Sequence, residues 1–205
     1  MKTPHCQKGF TLIELLVVLG VIMIITLIVT FGKTHYERSL ILTNLAYDVA
    51  LAIREAQVYG VNVRQGIAAN SFDQGYGVHF TVPNSSTFTL FVDTNNNRFY
   101  DGTAERVRDY TIKNNNSISA LCVVPTSNSA ICNSVSPNPL DITFRRPDPD
   151  ACFNGTGFGV ANAKLTSACV SNPATANSGA KITVSAPDGR TKTIRVSSIG
   201  QITVQ

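Results

Sequence analysis

One carboxylate in an otherwise apolar run is the residue most able to do chemistry in this 205-residue chain. From Phe10 to Phe31 the sequence reads FTLIELLVVLGVIMIITLIVTF, 22 residues in which Glu14 is the only ionisable side chain. At about 1.5 Å per residue this helix is about 33 Å long, matching a hydrocarbon core of about 30 Å. A charged side chain in that core costs about 2.5 kcal/mol or more near the centre and less near the interface. Something has to compensate. Cleavage between Gly9 and Phe10 would expose an α-ammonium at Phe10, and Glu14 of one subunit would then pair with the Phe10 ammonium of a neighbour in low dielectric. A cleavable secretory signal has an apolar stretch of only about 7 to 15 residues and an A-x-A-like site after it, and neither is present. A plain signal anchor explains the length and the flanking Lys2 and Lys8, which the positive-inside rule keeps cytoplasmic, and leaves Glu14 unexplained.

A second spacing with chemical content is Asp93, Asn95, Asn97 and Asp101, a D-x-N-x-N-x-x-x-D run of oxygen ligands of the kind that calcium takes. Its sixth position is Arg98 where a calcium loop needs Gly, and its twelfth is Ala104 where a bidentate Glu belongs. A polar hairpin loop explains the same residues, because Asn and Asp tolerate left-handed backbone and bond their own main chain. That reading is preferred, and no metal is favoured. Gly155, Gly157 and Gly159 lack the G-x-G-x-x-G spacing and a following helix, so they read as turn glycines beside Cys152. No GxSxG, HExxH or Walker sequence occurs. His79 reads as a surface residue in a strand, and the chain is expected to be no enzyme and to use no cofactor.

These residues need elements to hold them. At 43% apolar and 15% charged the chain can build a core and is poorer in charge than the roughly 25% of typical soluble domains, which excludes disorder throughout. The formal charge of +4 falls to +2 without residues 1–9, and no polybasic block points to nucleic acid. Leu42, Leu45, Val49, Ala52, Ile53, Ala56 and Tyr59 form one helical stripe, which predicts an amphipathic continuation of the helix to about Tyr59 with Gly60 as its stop. Eight β-prone segments follow: 76–82, 87–92, 106–112, 118–124, 140–144, 181–186, 191–196 and 199–204. Turn residues separate them, among them Asn114 to Asn116 and Pro187-Asp188-Gly189, and the last three read as a meander. The fold class is α+β, a long N-terminal helix with a membrane-spanning first half, packed on an antiparallel sheet.

Lys8 to Leu16, KGFTLIELL, resembles the class III signal of type IV pilins and pseudopilins at every position. The resemblance implies a membrane aspartyl prepilin peptidase that cuts after Gly9, N-methylation of Phe10, and a docking role for Glu14. Within that superfamily the chain resembles the GspH/FimT (FimU-like) branch, through AIREAQVYGVNV (Ala52 to Val63), FVDTNNN (Phe91 to Asn97) and DGRTKTIRVSSIGQITV (Asp188 to Val204). The organisation this implies is a leader at 1–9, a transmembrane half-helix at 10–31, an amphipathic half-helix at 32–60 and a periplasmic β-rich domain at 61–205. The implied partners are prepilin peptidase, other pilins or pseudopilins, and an inner-membrane assembly platform.

Cys6 lies ahead of the apolar run, and Cys122, Cys132, Cys152 and Cys169 lie beyond it. An oxidising periplasm favours paired disulfides; four cysteines allow three connectivities, and the sequence-local one is Cys122 to Cys132 with Cys152 to Cys169. Zinc is the rival reading, but the C-x2-C spacing is missing. Gly189, Arg190, Thr191 and Lys192 resemble imperfectly the GRxR element of DNA-binding FimT-type pilins, and with Arg195 they suggest a small basic face for phosphates. A solvated hairpin turn is preferred there, which leaves DNA uptake or adhesion as the runner-up function.

Overall fold

The computed structural model describes residues 9–62, 73–82, 85–125, 130–133, 138–156, 158, 164–165 and 177–205. A helix of 50 residues, α1, spans Leu12–Val61. The chain divides into two compact units, Met1–Ile41 and Leu42–Gln205.

In the first unit, Leu12–Phe31 has a mean hydropathy of 3.1 and buries none of its residues. Its polar hydroxyls are satisfied inside the helix: Thr26 Oγ1 donates to Ile22 O, and Thr30 Oγ1 donates to Thr26 O at 2.7 Å. Glu14 apart, a segment built this way asks nothing of water.

In the second unit the predicted stripe is the buried one. Leu42, Leu45, Val49, Ala52, Ile53 and Ala56 are buried together with Ala46, and Tyr59 packs against the same cluster. Gly60 does not stop the helix, which runs on to Val61. Its missing side chain serves a close approach instead: a Cβ there would lie 2.3 Å from the carbonyl oxygen of Phe144. Gly60 O also accepts from Arg146 N at 3.1 Å, so helix and sheet meet main chain to main chain.

Eleven strands follow among the described residues: β1 Gly75–Val82, β2 Thr87–Asp93, β3 Arg106–Thr111, β4 Ser117–Pro125, β5 Ile131–Asn133, β6 Asn138–Arg145, β7 Asp148–Thr156, β8 Lys164–Leu165, β9 Asn177–Ser185, β10 Thr191–Ser197 and β11 Ile202–Val204. They form two antiparallel sheets instead of one, ordered β3-β2-β1-β6-β7-β8 and β11-β10-β9-β4-β5. One apolar cluster joins them to α1: Val78, Phe80, Leu140 and Ile142 from the first sheet, and Leu121, Ile182, Val184, Ile194 and Val196 from the second. Each such side chain, fully buried, contributes about 1.5–3 kcal/mol.

β5, β7 and β8 are absent from the eight predicted segments. β7 is the instructive case, since DPDACFNGT carries turn-type residues. Gly155 lies within it, opposite Leu140, and not in a turn; a Cβ there would meet the Phe158 ring at 2.4 Å. Gly157 and Gly159 lie outside the described residues. The C-terminal meander β9-β10-β11 is present, with Gly189 (φ 84°) and Gly200 (φ 79°) in its turns, and Ile199 belongs to the second turn, not to a strand.

The buried Gln57 ties the second of these turns and the start of β7 to the helix. Its Nε2 donates to Pro149 O at 3.0 Å and to Gly200 O at 3.1 Å, and its Oε1 accepts from Arg54. Because Gly60 has no room to grow, Gly60→Ala should lower stability by about 1–3 kcal/mol. Urea denaturation of the detergent-solubilised chain checks this, and an unchanged midpoint would show that the close approach is not rigid.

Candidate functional site

The start of α1 is built by Thr11. Its Oγ1 accepts from Glu14 N at 3.3 Å and its O accepts from Leu15 N at 3.2 Å, so Thr11 caps the helix and Thr11-x-x-Glu14 has capping-box spacing. Sequence reading assigned Glu14 no local role, although the T-x-x-E spacing was there to see. An acid in a first turn gains about 0.3–1 kcal/mol from the helix dipole, to be set against the cost of a charge in hydrocarbon, about 2.5 kcal/mol or more near the centre and less towards the interface. Phe10 is 85% exposed ahead of this cap. A Cβ added at Gly9 meets nothing within 4 Å, so the chain's own packing makes no demand for glycine there.

Asp93, Asn95, Asn97 and Asp101 do come together, in a loop between β2 and β3 whose oxygens face the loop's own donors. Asp93 ends β2 and is buried; its two oxygens accept from Asn97 N at 3.0 Å and Arg98 N at 2.8 Å. Asp101 Oδ2 accepts from the side-chain amides of Asn95 at 2.7 Å and Asn97 at 2.5 Å. Glu105, absent from the sequence-derived set, is buried and closes the loop: Oε1 accepts from Thr94 N and Oγ1, and Oε2 from Asp101 N. Asn96 and Arg98 take positive φ, as turn chemistry requires. Among the described residues no group of three or more His, Cys, Asp or Glu is placed to hold a metal ion.

This loop rests on the outer face of the first sheet, over a polar row that strand alternation brings together. Thr89, His79, Asp141 and Asn154 are consecutive register partners across β2, β1, β6 and β7. His79 is not a free surface residue: its Nδ1 lies 2.6 Å from Asp141 Oδ1, and its ring lies 4.7 Å from that of Tyr100. Asp141 Oδ2 accepts from Tyr100 N at 3.2 Å, and Asn154 Nδ2 donates to Arg98 O at 2.7 Å, which pins the loop from beneath. Burial pushes the Asp141 carboxyl up, against the pull of His79, and burial also raises Asp93.

Cys122 and Cys132 are direct partners across β4 and β5, and they form a disulfide. Cys152 is buried on β7 and is disulfide-bonded, while Cys169 lies outside the described residues. The basic trio is not brought to one face. Arg190 folds back on Asp188, with Nε and Nη2 donating to Asp188 Oδ2 at 3.0 and 2.6 Å. Alternation along β10 puts Lys192 on the side of the buried Ile194 and Val196, and Arg195 on the opposite side.

Residues 4–30 match the family model described as the prokaryotic N-terminal methylation motif. No curated protein and no solved structure matches the chain. The motif supports kinship with the pilin and pseudopilin superfamily, implies processing by prepilin peptidase and assembly with other pilins, and points to a structural, non-enzymatic protein. Together with the apolar helix it fits a membrane-anchored single-pass protein.

The buried acid under the loop yields a pH signature. A carboxyl whose folded value lies above its unfolded value of about 3.9 binds more protons when folded, so its stabilising contribution is full below that pH and is lost as pH rises through the folded value. Asp141→Asn should therefore flatten the fall in stability above about pH 4. Denaturation midpoints across pH check this, and parallel profiles for variant and parent would contradict it.

Proposed function

We propose that the chain is a minor pilin or pseudopilin, a structural subunit of a type IV pilus or a type II secretion pseudopilus. The observation that carries the reading is the methylation motif at residues 4–30, set against a helix start where neither packing nor capping accounts for Gly9 and Glu14. Prepilin peptidase cuts between Gly9 and Phe10, and the new N-terminus at Phe10 is methylated. Leu12–Phe31 holds the precursor in the inner membrane with Lys2 and Lys8 on the cytoplasmic side. The Leu42–Gln205 unit is carried on the periplasmic side, where the Cys122–Cys132 disulfide persists. Assembly joins helices laterally, with each Glu14 answered by the Phe10 ammonium of a neighbour. The GspH/FimT branch is the best placement, on the three segments that resemble it. For a DNA-capturing minor pilin the support is thinner, since Arg190 is held by Asp188 and Lys192 and Arg195 lie on opposite faces.

In cells that carry a prepilin peptidase, the mature protein should begin at Phe10 by N-terminal sequencing. Gly9→Val should leave the precursor uncut while leaving the fold of the Leu42–Gln205 unit intact. A parent protein that retains Met1, or a Gly9→Val variant cut as completely as the parent, would refute the reading.

A further inference from the structure

Tyr47, Ala50, Leu51 and Arg54 of α1 face Gln201, Ile202 and Val204 across a groove of about 420 Å³. Tyr47 is 55% and Leu51 65% exposed, so this wall of the helix is apolar and uncovered. The other wall is β11, the last strand of its sheet. Its hydrogen-bonding phase is fixed by its neighbours: Thr193 and Gln205 exchange main-chain bonds of 3.0 and 2.8 Å, and Ser197 N donates to Gln201 O at 2.9 Å. Gln201, Thr203 and Gln205 therefore direct their main-chain groups to β10. By alternation, the N–H and C=O groups of Ile202 and Val204 point away from the sheet along its open edge.

Native sheets usually protect such an edge with charge. β3, the open edge of the first sheet, does so with Arg106, Arg108 and Asp109, all exposed. β11 carries no charged residue. Water can serve its main-chain groups but leaves Tyr47 and Leu51 uncovered. A docked helix would cover those two, but its own main chain is internally bonded and leaves the strand edge unpaired. An added strand satisfies both.

We propose that β11 accepts an extended segment of a partner polypeptide, which pairs with Ile202 and Val204 through its main chain. Alternate apolar side chains of that segment cover Tyr47 and Leu51. An acidic residue faces Arg54, the one charged residue among the described residues that line the groove, whose guanidinium has N–H donors beyond the one given to Gln57. This goes beyond the filament reading and does not rest on it, since among the described residues β11 is an edge strand whether or not the chain is cut after Gly9.

The test uses the full chain, ¹⁵N-labelled in detergent, and a short capped peptide of alternating valine and threonine carrying one glutamate. Saturable shifts at the Ile202 and Val204 amides, with about tenfold slower amide exchange there, are expected. The same peptide N-methylated on alternate amides should not bind. A lysine in place of the glutamate should weaken binding to the parent and favour an Arg54→Glu variant. Shifts absent up to the solubility limit, shifts confined to other strands, or equal binding of the N-methylated peptide would overturn the proposal.

Discussion

A charge in hydrocarbon persists only when something nearby answers it, and Glu14 is the single ionisable side chain in the Phe10–Phe31 run. The helix supplies part of the answer through the dipole of its first turn, whose start Thr11 caps by accepting from the main-chain N–H of Glu14. In the proposed reading, a partner covers what the dipole does not offset. A fixed ammonium one turn away on an adjoining subunit would do so, and it exists only after cleavage. On that reading processing and assembly are chemically linked, since the cut that removes Lys2 and Lys8 would also make the counter-charge.

The Leu42–Gln205 unit obeys a constraint of a different kind, closeness. Gly60 lets the helix meet the main chain at Phe144, and Gln57 holds Pro149 of β7 and the turn at Gly200 to the same helix. On the far face of the first sheet a polar loop is docked over His79, Asp141 and Asn154. Helix and sheets are thus tied to one another at close quarters, while among the described residues β11 is an edge strand.

Much of this was legible in the residues. The helical stripe from Leu42 to Ala56 is the buried face, because a 3.6-residue period leaves little choice about which side faces a core. Asn114 and Asn115 do take left-handed backbone between β3 and β4, as their run of three suggested. What escaped was set by partners distant in sequence. β7 reads as a turn until β6 is placed beside it, and Gly60 reads as a stop until Phe144 is placed against it. His79 looked solvated because nothing local announces that Asp141, 62 residues on, lies in register with it. A basic face shared by Lys192 and Arg195, the less favoured reading beside a solvated hairpin turn, was suggested by charge counted along the chain, when alternation along β10 decides where each side chain goes.

Glu14→Gln keeps the capping-box spacing with Thr11 and removes the charge that the proposed pairing needs. The decisive measurement is how much of this variant, expressed beside the parent, enters filaments relative to its processed pool. A pair that offsets a cost of about 1.4 kcal/mol or more predicts at least about a tenfold fall in incorporation with cleavage after Gly9 intact. Incorporation equal to the parent's would mean that the Glu14 charge plays no part in assembly.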